Sequence, residues 1–68
     1  MVEILKESGI FEVPSYGYGK IVLIKGSNDN FAVCYLDPET NKGTPISLFY
    51  SIEGAEKDFW ERTKVTLV

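Results

Sequence analysis

YGKIVLIKGSNDNFAVCYL, residues 18–36, decides how this chain folds. Tyr18 to Lys25 is rich in β-branched and aliphatic residues, as is Phe31 to Leu36. Between them Gly26-Ser27-Asn28-Asp29-Asn30 supplies the glycine, Asn and Asp that a hairpin loop uses where φ is positive. Two antiparallel strands around a turn follow. Because strand side chains alternate, Tyr18, Val22 and Ile24 share one face and Ile21 and Leu23 the other. In the second strand Phe31, Val33 and Tyr35 alternate with Ala32, Cys34 and Leu36. Both faces of the hairpin are therefore apolar, where an antiparallel sheet wetted on one side would carry polar residues on alternate positions. The pattern requires cover on both faces.

The flanking sequence extends this hairpin. Strands are expected at Val2–Lys6 and at Ile10–Val13, the latter ending at Pro14. After the hairpin, Asp37-Pro38-Glu39-Thr40 suits a turn with Pro38 at its second position, and Gly43 is free to take the left-handed conformation. A strand follows over Pro45–Tyr50, starting at Pro45 or lying at an edge because proline cannot donate a ladder hydrogen bond. Ser51 can cap a helix, Glu53 suits its positive end, and Ile52, Ala55, Phe59 and Trp60 fall on one helical face. Lys64–Val68 is strand-like again. The expected architecture is α+β, a three- to five-stranded antiparallel meander with one C-terminal helix packed on a face. The alternative is a small SH3-like barrel with only a helical turn near Ser51. One helix covers one face. The other needs the N-terminal segment, barrel closure, a second copy or a partner protein.

Length and composition narrow the function. Sixty-eight residues form a single domain, 1–68, with a small core, and 44% hydrophobic against 25% charged residues marks an ordered chain. The longest aliphatic run, Ile21–Ile24, is far short of a membrane span, and no basic and apolar leader is visible, so a cytoplasmic protein without membrane contact is expected. A lone cysteine, Cys34, cannot form an internal disulfide, and its apolar neighbours assign it a packing role. The absence of histidine removes the usual acid–base residue and the commonest metal ligand. A net charge of −3 with scattered lysines weighs against nucleic acid.

Among candidate sites, Tyr16-Gly17-Tyr18-Gly19-Lys20 partly matches the aromatic RNA-stacking pattern K/R-G-F/Y-G/A-F-V-x-F/Y, but Lys20 and Leu23 replace two stacking aromatics. No phosphate-loop spacing is present, and a strand rather than a helix follows the glycines. The helical acids pair with bases four residues on, Glu53 with Lys57 and Asp58 with Arg62, as on a solvated face. Asp37, Glu39 and Asn41 lack a calcium-loop ligand set. Trp60 is expected to anchor the helix in the core, and Tyr16, Tyr18, Tyr35 and Tyr50 to supply a recognition surface if one face presents them. Catalytic residues, metal ligands and cofactors are not expected. The expected function is a small non-enzymatic protein-binding or regulatory module, its partner another protein or a second copy in a homodimer, using Tyr16, Tyr18, Lys20, Val22 and Tyr35. Tyr18, Val22 and Ile24 would then lie with Val33 and Tyr35 opposite the helix. The alternatives are a single-strand nucleic-acid binder using residues 16–20 and an acidic mimic of nucleic acid.

Overall fold

The computed structural model describes residues 3–64. Five antiparallel strands form one open sheet: β1 (Glu3–Glu7), β2 (Phe11–Val13), β3 (Gly17–Lys25), β4 (Phe31–Leu36) and β5 (Gly43–Phe49). The helix α1 (Ile52–Thr63) packs on one face. The nine-residue β3 is long enough to pair with two strands along one side: β1 lies against Val22–Lys25 and β2 against Gly17–Gly19. β4 takes the other side of β3, and β5 follows β4. β5 does not pair with β1 or β2, so the barrel alternative is not the structure. The strand-like segment expected after Lys64 lies outside the described residues.

Where the broken edge strand passes from β1 to β2, a serine closes the ladder. The Ser8 amide donates to the Ile21 carbonyl at 2.9 Å, and the Ile21 amide donates back to Ser8 Oγ at 2.9 Å. The hydroxyl thus stands in for a backbone carbonyl, which keeps the central strand's N–H satisfied across the interruption.

The turns reach positive φ through other residues than the glycines singled out above. Asp29 (φ 56°) does so between β3 and β4, and Asn41 (φ 60°) before β5, while Gly43 simply enters the strand. The Asp37 carboxylate accepts from the Glu39 amide at 2.9 Å, an Asx turn that organises the β4–β5 loop. Between β2 and β3, Pro14 precedes Ser15 at φ 72°, and the Tyr16 amide donates to the Val13 carbonyl at 3.0 Å. This is a tight turn with proline at its second position and positive φ at its third.

Register decides which residues form the core. Ile21 lies opposite Tyr35 and Leu23 opposite Val33, so these four share the helix-side face with Phe31. Val13 of β2 and Ala55 and Phe59 of α1 complete the cluster, with Phe11, Ile46, Phe49 and Ile52 packed around it. Ile21, Leu23, Val33 and Phe59 are fully buried, each contributing about 1.5–3 kcal/mol by leaving water. The expected grouping of Val33 and Tyr35 with Tyr18, Val22 and Ile24 is therefore corrected. Val22 pairs with Cys34 and Ile24 with Ala32, placing Ala32, Cys34 and Leu36 on the face away from the helix. A bulge between Val33 and Cys34 inserts an extra residue in β5 near Pro45 and Ile46, on an edge strand that tolerates proline.

Ser51 caps α1, its Oγ accepting from the Gly54 amide at 3.3 Å. Asp58 and Arg62 form their i,i+4 pair at 2.7 Å, and Arg62 also donates to Ser47 Oγ at 3.0 Å, tying the helix to β5. Glu53 and Lys57 do not come within ion-pair distance. Trp60 does not enter the core: it is 54% exposed, because Phe59, one position round the helix, takes the central slot. Its indole meets Phe59 edge-on at 5.2 Å and lies beneath Lys6 Nζ at 5.7 Å.

Candidate functional site

The residues expected to act together divide between the two faces of the sheet. Tyr35 is buried on the helix side, its ring stacked on Tyr16 at 5.5 Å and its hydroxyl donating to the Tyr18 carbonyl at 3.2 Å. The ring lies against Gly19, where an added Cβ would sit 2.6 Å from Tyr35 Cε1 and 2.6 Å from the Leu36 carbonyl oxygen. The glycine-tyrosine alternation at residues 16–19 is thus the seat of an aromatic ring. Burial, with the nearby Asp37 and Glu39 carboxylates adding to it, pushes the Tyr35 phenol above its ordinary range.

Tyr18, Lys20 and Val22 lie on the opposite, helix-free face. Tyr18 is 69% exposed, with Glu12 opposite it on β2. Lys20 reaches the Glu7 carboxylate at 2.6 Å, beside Val22, which is buried. Tyr50 is exposed beyond the end of β5 and joins neither group.

The sequence reading placed Ile24 on this face but missed the residues aligned with it. Ile4 pairs with Ile24, Ile24 with Ala32, and Ala32 with Leu48, giving one apolar row across four strands. Its ends are open, Ile4 at 53% and Leu48 at 57% exposure. The adjacent row runs through Glu7, Val22, Cys34 and Pro45. Ile4 follows Glu3 and Leu48 follows Ser47, but the adjacent Leu5 and Phe49 blur the alternation that would mark either as part of one strand face. Their alignment into a row depends on two bulges, in β1 between Ile4 and Lys6 and in β5 opposite Val33 and Cys34. Cys34 is buried, and that burial raises its thiol pKa, leaving little thiolate near neutral pH.

A concavity of about 630 Å³ lies between the β1–β2 junction and the end of α1, lined by Lys6, Ser8, Trp60 and Lys64 among others. Its polar groups are largely engaged. Lys6 pairs with Glu56 at 3.7 Å, and Ser8 Oγ both accepts from Ile21 and donates to the Gly9 carbonyl. Among the described residues no cluster of three or more acidic, cysteine or histidine side chains could hold a metal, no polar or charged residue is buried, and no helix is long and apolar enough to cross a membrane.

Comparison with protein-family models, with curated proteins and with solved structures returns no significant match. Function has to be read from the chain's own geometry.

Proposed function

We propose that the chain is a small non-enzymatic interaction module that binds protein through the sheet face opposite α1. The observation that carries this reading is the Ile4–Ile24–Ala32–Leu48 row, apolar from edge to edge and covered by no element among the described residues. Exposed apolar patches of several hundred Å² are uncommon on monomers and mark interaction surfaces. Tyr18 at the margin adds an amphipathic ring of the kind enriched in interfaces. The electrostatics of this face favour protein over nucleic acid, because Lys20 is neutralised by Glu7 and the exposed Tyr18 faces Glu12, leaving no net positive charge to meet phosphate.

The test is differential capture from the native host with four baits. A discrete partner retained by wild type and by Glu61→Lys on the exposed helix side, and lost with Leu48→Asp and Tyr18→Ala, is the expected result. Loss confined to the helix variant would move the site elsewhere. Capture of nucleic acid with a steep salt dependence would replace the reading with the alternative one.

A further inference from the structure

We infer that the occupant of the open face is a second copy of this chain, docked about a two-fold axis parallel to the strands so that Ile24 of each copy packs on Ala32 of the other. This rests on the interaction-face reading above and adds the identity and orientation of the partner. Three observations support it.

The first is area. The molecule measures 31 × 26 × 17 Å, so its broad face is on the order of 800 Å², about one partner's share of a standard interface. That is the upper limit for this face, since Val22 and Cys34 within it are already buried, and it coincides with the size of a standard contact.

The second is shape. In a two-fold dimer each contact occurs twice with the residues exchanged. An axis along the strands reverses the apolar row, bringing Ile24 over the partner's Ala32 and Ile4 over the partner's Leu48. The large central side chain then meets the small one in both copies. An axis along the row would instead set isoleucine on isoleucine and alanine on alanine, leaving a gap beside a clash at the centre. Both axes keep the strands of the two sheets aligned, as face-to-face sheets pack.

The third is charge. The strand-parallel axis also sets Glu7 of each copy over the partner's Pro45, with Val22 and Cys34 between them already buried within the chain. With strands about 4.8 Å apart, the two Glu7 residues stand on opposite flanks, roughly 14 Å from each other in the plane of the sheet. Each keeps its Lys20, so the protein's net negative charge is not concentrated at the contact.

Sedimentation equilibrium of the full chain at tens of micromolar tests the association, and cross-linking tests the axis. Wild type is expected to be a dimer, with Leu48→Asp weakening it at least about tenfold by burying a charge at both ends of the contact. Leu48 is exposed at a sheet edge, so this variant should fold, and an unchanged far-UV spectrum checks that. Two single-cysteine chains made on a Cys34→Ala background, Ile4→Cys and Leu48→Cys, are then mixed and treated with a short thiol cross-linker. Adducts should form between the two different chains and scarcely within either alone. Dimers in which Ile4→Cys links to its own kind overturn the orientation. A wild-type monomer overturns the second copy as occupant, and capture of another protein sensitive to Leu48→Asp would in that case leave the interaction face standing. A monomer whose captures ignore Leu48→Asp removes both.

Discussion

At Gly19 the backbone and the Tyr35 ring occupy the space that any side chain would need, with both the ring and a carbonyl oxygen 2.6 Å from the point where a Cβ would stand. Gly19→Ala is therefore expected to cost about 1–3 kcal/mol, read as a lower midpoint in urea with unchanged slope. Ser8 is a second position where one atom matters. Ser8→Ala removes the hydroxyl that accepts from the Ile21 amide, a part-buried donor, and should cost about 1–3 kcal/mol, while Ser8→Thr keeps the hydroxyl and should recover much of it. Neither residue would attract notice in a list of hydrophobic positions. Tyr35 adds a pH dependence whose sign follows from its raised phenol pKa. The folded state holds the proton more tightly, so this contribution is complete below the ordinary phenol value of 10.0 and is lost as pH rises through the higher folded-state value. Stability curves of wild type and Tyr35→Phe, which lacks the ionisable group, should run parallel below 10.0 and converge or cross as the pH rises beyond it. Parallel curves throughout would remove the linkage.

At the scale of elements, α1 is held by one buried aromatic and two polar ties. Phe59 is 2% exposed within the central cluster, and Phe59→Ala should cost about 3–5 kcal/mol, a large share of what so small a domain possesses. A loss under about 1 kcal/mol in chemical denaturation would contradict the packing described. Trp60→Ala, beside it but half in solvent, is expected to cost clearly less. The contrast between neighbouring aromatics follows from the roughly 100° step per helical residue: only one of two adjacent side chains can point at the sheet centre. Helical spacing placed Ile52, Ala55, Phe59 and Trp60 on a common arc, but an arc that wide is broader than the strip the sheet can bury.

For the whole molecule the deciding feature is one helix on a sheet with two apolar faces. The isolated chain has a radius of gyration of 11.3 Å. Two such bodies stacked with sheets ~10 Å apart should show roughly 15 Å by solution scattering, rising toward it with concentration and staying low for Leu48→Asp. Thermal midpoints should rise with protein concentration for wild type and not for that variant, since association stabilises only the folded state.

Alternation and helical periodicity in the sequence were enough to establish the α+β class, the β3–β4 hairpin, the capped helix and the surplus of apolar strand surface. Those features are local: each depends on residues two to eight apart, and the chemistry of strands, caps and turns acts over that range. What only the tertiary structure decided was which apolar residues face which way. Two bulges and a hydroxyl-bridged break in the edge strand set the register, and a one-residue change in register moves a whole strand's side chains to the other face. The unbroken β3–β4 pairing made Tyr35 a buried ring seated on Gly19 and turned Ala32 to the other face, while the bulged pairings brought Ile4 and Leu48 into line with it. No short-range pattern marks those residues as neighbours, because they come from strands that meet only when the sheet has formed.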